Sequence, residues 1–452
     1  MKLEENVVLV FGTGLSGIAA TNLLQNTNTE IILFDTNTDL NRDEIKEKLS
    51  PEFNGEILLG ELSDEVLEKV GITVLSPGVP TDLDIVNKMR EKNITIIGEI
   101  ELAYYFSKGK IAAITGTNGK TTTTTLLGEI MNTYYKEVFV VGNIGIPYTK
   151  VARDTTDESV VVAEMSSFQL ETIEAFRPDV SAILNITPDH LNRHHTMENY
   201  IKAKFNITKN QNSTDVCVLN YEDPVLREFG DALPCKVIYF SSQHTLSQGI
   251  YLQDENIIYS MDDTKEIICN IHELNIFGRH SYENVMAAVA MSLALNVPVS
   301  CIKTAIKAFV AVEHRIEFVT TKNGVKYFND SKGTNPDASM KAIESMEFPT
   351  YLIAGGYDKG SEFDEWIEAF QGKIKSLVLI GQTKEKIAKT ARNHGYHHIV
   401  MTDTLEEAVN ICFEHADNGE CVLLSPACAS WGMFKDYEER GRLFKEYVKN
   451  LK

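Results

Sequence analysis

Residues 110–125 read KIAAITGTNGKTTTTT, and this stretch limits the possible folds more tightly than any other. Its opening is apolar, as expected of a strand buried on both faces. A glycine turn ending in Lys-Thr follows, and then a helical run. Glycines let backbone N–H groups point inward around phosphate oxygens, and the helix N-terminus adds its positive dipole end. In such a loop Lys120 reaches the β- and γ-phosphates and the Thr121 hydroxyl sits on Mg²⁺. Gly116, Thr117, Asn118, Gly119 and Thr122 complete the cradle. Ile114 stands where the common pattern has its first glycine, so the loop is a shortened variant that relies on Gly116. The plainer alternative is a glycine-rich βα turn with Lys120 in solvent.

A second glycine loop lies near the start. Gly12-x-Gly14-x-x-Gly17 follows the apolar run VVLVF and opens a helical stretch, and Asp35 ends the next strand. That is the form of a dinucleotide fingerprint. The loop itself reports only that a diphosphate can approach a helix N-terminus, and a UDP-sugar carries one as well as NAD does.

These loops belong to repeated strand–turn–helix blocks. The first block has strands at VVLVF, IILF, ILLG, TVLSPG and TIIG. The second runs through strands near 110–115, 138–141, 160–164, 180–184, 216–219 and 237–240, a strand-rich insertion over 250–278, and helices after Gly278 and up to about Ala311. The third has strands KYFND, TYLIAGG, SLVLIG, HIVM and CVLLSP. The alternation predicts an α/β fold with parallel sheets in three domains, over 1–98, 99–312 and 313–452. At about 100–200 residues per domain, 452 residues agree with that number.

The net charge of −21 makes the chain a poor generic binder of nucleic acid or anionic membrane. Anionic substrates therefore require locally gathered cations. No basic n-region precedes an apolar segment at the start, and no apolar run approaches the ~20 residues of a membrane span. Seven cysteines, none in CxxC spacing, fit reduced thiols in the cytoplasm, with Cys428 as a small buried hydrophobe.

Two strand ends add chemistry. Glu164 closes VVVAE and His190 follows LNITPD, both where open α/β sheets place ligands. A carboxylate facing a phosphate loop is a natural Mg²⁺ ligand. By composition Lys204, in a helical stretch with Lys202, reads as solvated, and His194 and His195 read as surface residues.

GTNGKTT, GNIG (142–145), EMSSFQLE, NITPDHLNRH, GRHSYEN (278–284), EHRIE (313–317), NDSKGTNPDA (329–338), GGYDKG (355–360) and SPACASW (425–431) together cover almost the whole chain in order. They resemble the Mur ligases, the ATP-dependent amino-acid ligases of peptidoglycan precursor synthesis. The two ends, GTGLSG and SPACAS, are similar to the branch that adds D-glutamate to UDP-MurNAc-L-Ala.

The resemblance implies a Rossmann-like N-terminal domain for the UDP-sugar, a central P-loop ATPase-type α/β domain and a C-terminal Rossmann-like domain for the amino acid. It implies a monomeric cytoplasmic enzyme whose partners are ATP, UDP-MurNAc-L-Ala and D-glutamate, with two Mg²⁺ ions. Lys120, Glu164, His190, Lys204 and Lys332 fall at its catalytic positions. Thr121, Glu164, His190 and Lys204, the last as a carbamate, fall at its metal positions. Asn284, Arg315 and Asp330 would join the loop in holding ATP. Gly14, Leu15, Ser16, Asp35, Thr36 and Asn143 would hold the UDP-substrate. Lys332, Thr334, Lys359, Ser430 and Tyr437 would hold D-glutamate. Read from residues alone, Asp330 could instead cap a turn and Ser430 a helix.

Competing readings leave motifs unexplained. An NAD-linked oxidoreductase accounts for Gly12–Gly17 and Asp35 but not for the Lys120 loop or Glu164. A P-loop switch or motor leaves the first glycine loop and NDSKGTN without a role. Another Mur-type or folylpolyglutamate-type ligase would share the GTNGKTT core.

Overall fold

The structure is a computed structural model that describes residue 3 and residues 6–452, except 26, 263, 311, 312 and 347. The expected helix end near Ala311 and the expected domain limits at residues 1 and 312 lie outside the described residues.

The first sheet is built from Val7–Phe11 (β1), Glu30–Asp35 (β2), Glu56–Leu59 (β3), Val70–Leu75 (β4) and Thr95–Gly98 (β5). All its pairs are parallel and the order is β3-β2-β1-β4-β5. The strand order reverses at β1, so a crevice opens beyond its C-terminal end, at Gly12.

The second sheet comprises Lys110–Thr115 (β6), Val138–Gly142 (β7), Val160–Glu164 (β8), Val180–Ile183 (β9), Val216–Asn220 (β10), Lys236–Ser241 (β11), Gly249–Gln253 (β12), Asn256–Met261 (β13) and Thr264–Asn270 (β14). Its order is β14-β13-β12-β11-β10-β9-β6-β8-β7. Here β6 lies between β8 and β9, with Ile114 opposite Glu164 and Thr115 opposite Ile183. The reversal therefore falls at Gly116. The strand-rich insertion ends at Asn270 and not at 278: residues 271–273 form a 3₁₀ turn, and the next helix begins at Arg279.

The third sheet contains Glu317–Lys322 (β15), Val325–Asn329 (β16), Thr350–Ala354 (β17), Ile374–Leu379 (β18), Ile399–Met401 (β19) and Cys421–Leu424 (β20), in the order β15-β16-β20-β17-β18-β19. Strand β20 lies between β16 and β17, so Asp330, Gly355 and Ser425 share one C-terminal rim. The expected strands omitted β15. It pairs antiparallel with β16 across Asn323-Gly324, both with positive φ. Asn-Gly between apolar stretches was the local signal for that hairpin.

The chain divides into two compact units, residues up to 271 with 283–306, and 272–282 with 307–452. The first two sheets share one unit because the helix Glu99–Phe106 belongs to both cores. Its Ile100 and Leu102 pack in one buried cluster with Val8 and Val10 of β1 and with Ile111 and Ala113 of β6. In the second unit, Trp366, Phe363 and Phe370 pack one face of the third sheet and Phe444 and Val448 the other.

Candidate active site

The three crevices carry three sets of polar side chains. At the first, Gly17 lies so close to the Gly12 carbonyl that a Cβ would collide with it, whereas a Cβ on Gly14 would meet nothing. Leu15 is 81% exposed at the head of the helix Leu15–Gln25, an apolar side chain in open view beside the loop. Ser16 is half-buried and Thr36 exposed. Asp35 is largely committed: its carboxylate accepts from Thr13 N at 3.0 Å, Thr13 Oγ1 at 2.9 Å and Asn37 N at 3.0 Å. A carboxylate has about four acceptor positions. Asp35 thus braces the loop and retains room for one further donor.

At the second crevice Gly119 adopts φ +85°, the left-handed region that glycine tolerates, and caps the helix Lys120–Asn132. A Cβ there would run into Asn284 Oδ1, which also accepts from Thr123 Oγ1 at 3.3 Å, so Asn284 lies against the loop. Asn185 pairs with the loop backbone in both directions, accepting from Asn118 N at 2.8 Å and donating to Asn118 O at 3.1 Å. Thr117 Oγ1 donates to Thr187 O at 3.0 Å and accepts from Thr187 N at 3.0 Å. The Tyr200 hydroxyl, 3.0 Å away, therefore donates to it. Lys120 Nζ bonds the carbonyls of Gly116 at 2.9 Å and Thr117 at 2.8 Å. Thr121 and Thr122 are buried in the first turn.

Glu164 is 1% exposed. Its Oε1 accepts from Asn143 Nδ2 at 2.7 Å, and its Oε2 is buried with no hydrogen-bond partner. An orphaned buried carboxylate oxygen is costly unless something else completes it. A hard divalent cation fits that donor chemistry. His190 is half exposed, with a left-handed backbone and its ring edge-on to Phe168 at 4.9 Å. Among the described residues no group of three or more His, Cys, Asp and Glu side chains is gathered around a metal position.

Lys204 is not a solvated lysine. It is 2% exposed, donates from Nζ to Gly116 O at 2.7 Å, and lies 4.7 Å from the centre of the Tyr200 ring. Burial, and then the positive charge of Lys120, pull its pKa well below the ordinary lysine value. Lys202, two positions earlier, is the exposed one. His194 is likewise buried, against the surface reading, whereas His195 is exposed as expected.

At the third crevice Asp330 is buried. It accepts from Ser425 Oγ at 2.7 Å and from Ile316 N at 3.3 Å, and burial raises its pKa to about 7. It thus holds two partners across the rim and does not cap a turn with its side chain. Arg315 Nε is buried without a hydrogen-bond partner. Lys332 Nζ lies 5.5 Å from the centre of the Tyr437 ring, and Thr334 N bonds Lys332 O at 2.9 Å. The Lys359 loop meets the Ser430 loop through Tyr357 N to Ala429 O at 2.9 Å, and Lys359 Nζ lies 5.2 Å from the centre of the Trp431 ring. Ser430 is buried and starts no helix.

Sequence reasoning missed Arg440. It is fully buried, bonds Ser331 Oγ, Ser331 O and Cys428 O at 2.8–3.1 Å, and so ties the Lys332 loop to the Ser430 loop. Burial holds its pKa down to about 10. Its stretch, YEERGRLFK, reads as a solvated helix face, and nothing local marks this arginine. Cys428 is buried, with its thiol raised to about 11. No helix among the described residues is long and apolar enough to cross a membrane.

Comparison with known proteins follows this three-part layout. Residues 6–98 match the Mur ligase MurD-like N-terminal domain, 114–292 the Mur ligase middle domain, and 314–428 the Mur ligase glutamate ligase domain. Two curated relatives carry the name UDP-N-acetylmuramoylalanine--D-glutamate ligase. The Lachnoclostridium phytofermentans protein is 61% identical over 98% of both chains, and that of Lachnospira eligens 52% over 100% of both. Among solved structures, MurF ligase from Thermotoga maritima, in complex with ADP, superposes with TM-score 0.61 at 16% identity over 99% of each chain. UDP-N-acetylmuramate-alanine ligase MurC from the same organism gives 0.58 at 17%, over 98% of this chain and 99% of that one. At that identity they show the shared fold.

Proposed function

This chain belongs to the Mur ligase family, and on that premise we propose that it is the ATP-dependent ligase that joins D-glutamate to UDP-MurNAc-L-Ala in peptidoglycan precursor synthesis. The observation that carries the reading is the pair of glycine loops at the reversal points of two different sheets, which supports one site for a diphosphate handle and another for a nucleoside triphosphate. We assign residues 1–98 to the UDP-sugar, 99–312 to ATP and 313–452 to the amino acid, in a monomeric cytoplasmic enzyme.

The chemistry sets the roles. A carboxylate is a poor electrophile, so its oxygen attacks the γ-phosphorus of ATP and ADP leaves. The acyl phosphate formed has a good leaving group. The D-glutamate amine attacks its carbonyl carbon, and the tetrahedral intermediate collapses to the amide with loss of phosphate. Both steps bring anions together, so cations and oriented dipoles do most of the work.

Lys120 and the helix N-terminus neutralise the transferring phosphoryl group. Mg²⁺, when bound, lowers repulsion between the anions, and Thr121, Glu164, His190 and Lys204 are the residues that would hold it. For that role Lys204 would react as the neutral amine with CO₂, losing a proton to become an anionic carbamate. Its burial supports this, because the neutral amine is the reactive form. Asn284, Arg315 and Asp330 would place adenine, phosphates and ribose. Gly14, Leu15, Ser16, Asp35, Thr36 and Asn143 would hold the UDP-substrate. Lys332, Thr334, Lys359, Ser430 and Tyr437 would receive the two carboxylates and the chain of D-glutamate.

The test is a panel of amino acids supplied with ATP and UDP-MurNAc-L-Ala and scored by phosphate release and amide product. Turnover is expected with D-glutamate alone. Preference for another amino acid, or for a pterin substrate, would place the chain in a different branch.

A further inference from the structure

We propose that Arg193, Glu171 and His194 are positioning residues that couple the two glycine loops, so that occupying Gly12–Gly17 tightens nucleotide binding at Gly116–Thr121. The inference rests on the reading of those loops as the UDP-sugar and ATP sites.

A continuous set of contacts joins them. Ser76, just after β4, lies against the first loop, with its N bonded to Phe11 O at 2.9 Å and its Oγ to Gly12 O at 3.4 Å. Val79 N bonds Ser76 O in turn, at 2.9 Å. Arg193 Nη2 then donates both to Val79 O at 3.1 Å and to Glu171 Oε2 at 2.8 Å. Thr81 Oγ1 donates to the same Glu171 oxygen at 3.2 Å. The guanidinium lies 4.8 Å from the centre of the Phe168 ring, which keeps it partly out of water.

From Glu171 the path turns inward. Its Oε1 lies 3.2 Å from His194 Nδ1, and His194 Nε2 lies 2.9 Å from Ser167 Oγ. The carboxylate oxygen accepts from Nδ1–H, and in the neutral ring Nε2 then accepts from Ser167 Oγ. The order Ser–His–Glu is that of a nucleophilic triad, but Ser167 and His194 are both buried, so no acyl substrate can reach the hydroxyl. The trio instead fixes the imidazole. That ring lies 5.3 Å from the Tyr200 ring, whose hydroxyl bonds Thr117 and whose face lies against Lys204 Nζ.

The segment in the middle has reason to respond. His190 and His195, which bracket it, both have positive φ, and His195, at φ 65° and ψ −37°, lies outside the left-handed helical well, a sparsely populated conformation held by its surroundings. Ligand contact at the first loop therefore acts on Arg193 through Ser76 and Val79, and Arg193 sets the imidazole behind Tyr200.

The experiment is calorimetric titration of a non-hydrolysable ATP analogue, with and without saturating UDP-MurNAc-L-Ala, on wild type, Arg193→Ala and Arg193→Lys. Wild type is expected to bind the analogue at least about fivefold more tightly with the UDP-substrate present, and the reverse titration should give the same factor. In Arg193→Ala each ligand alone should bind within about twofold of wild type while the tightening disappears, a split that general loosening would not produce. Arg193→Lys should keep part of it, because an ammonium can donate to both oxygens. No tightening in wild type, or full tightening in Arg193→Ala, overturns the proposal. If Arg193→Ala does not fold, Thr81→Val removes one donor to Glu171 and should weaken the coupling; undiminished coupling there overturns it equally. Failure of wild type to bind either ligand alone would overturn the reading of the loops, and this inference with it.

Discussion

The side-chain nitrogen of Lys204 donates to the carbonyl of Gly116 at 2.7 Å, and Lys120 donates to the same oxygen at 2.9 Å. Two lysines thus converge on one loop carbonyl, and the inner one is pushed toward its neutral form. Lys204→Ala should lose ATP-dependent ligation by about 10²-fold or more, the scale of losing one preorganised electrostatic group. Added acetate should restore part of it by supplying the missing anion. Phosphate release with and without acetate measures both effects. Full activity without acetate would make the lysine structural.

Glu164→Gln separates stability from catalysis. Glutamine keeps the acceptor that Asn143 uses and removes a buried carboxylate oxygen that has no partner. The melting temperature should hold or rise, because a neutral amide costs less to bury than a carboxylate, although its NH₂ takes the place of the unpaired oxygen. Mg²⁺-dependent turnover should fall by about 10²–10³-fold. A fall in both melting temperature and activity would mean the carboxylate serves mainly the fold.

The first glycine loop offers a matched pair of substitutions. Gly14→Val adds its side chain to open space, whereas Gly17→Val drives one into the Gly12 carbonyl. Gly14→Val should keep the wild-type melting temperature, weaken UDP-MurNAc-L-Ala markedly and leave the affinity for an ATP analogue nearly unchanged. Gly17→Val should destabilise the protein itself. Thermal melts with each ligand distinguish the two, since a bound ligand raises the melting temperature only where its site survives.

Asp330 predicts a pH dependence. Its folded pKa is raised by burial to about 7, above the ordinary 3.8. The native state therefore holds this proton over a range where the unfolded chain has lost it. The stabilisation from Asp330 is fully present below about 3.8 and is lost as pH rises through about 7. Asp330→Asn should flatten that part of the stability curve. Urea unfolding of both proteins between these limits measures the difference, and identical curves would remove Asp330 as the titrating group.

The loops, strands and most helices were legible in the sequence because their signals are local. VVLVF before Gly12 and IAAI before Gly116 need only neighbours to declare themselves, and a glycine turn between strand and helix imposes its geometry wherever it occurs. Even the overlooked β15 had a local marker in Asn323-Gly324. The insertion was overextended because Leu274 and Ile276 alternate with polar residues as in a strand, with Phe277 following, yet the pairing there is an isolated bridge between Asn275 and Val310 and not a ladder.

The order of strands, turns and helices and the position of each glycine loop are therefore local properties, written in the chain. Tertiary structure decided which polar side chains are buried together. Lys202 and Lys204 occupy one helix with the same local chemistry, and only the approach of the Gly116 loop, 88 positions away, makes one solvated and the other a buried amine. His194 and Arg440 follow the same logic, since each lies in a charged stretch that reads as surface. Burial is a property of what packs against a residue, and for these three the packing partners come from distant parts of the chain.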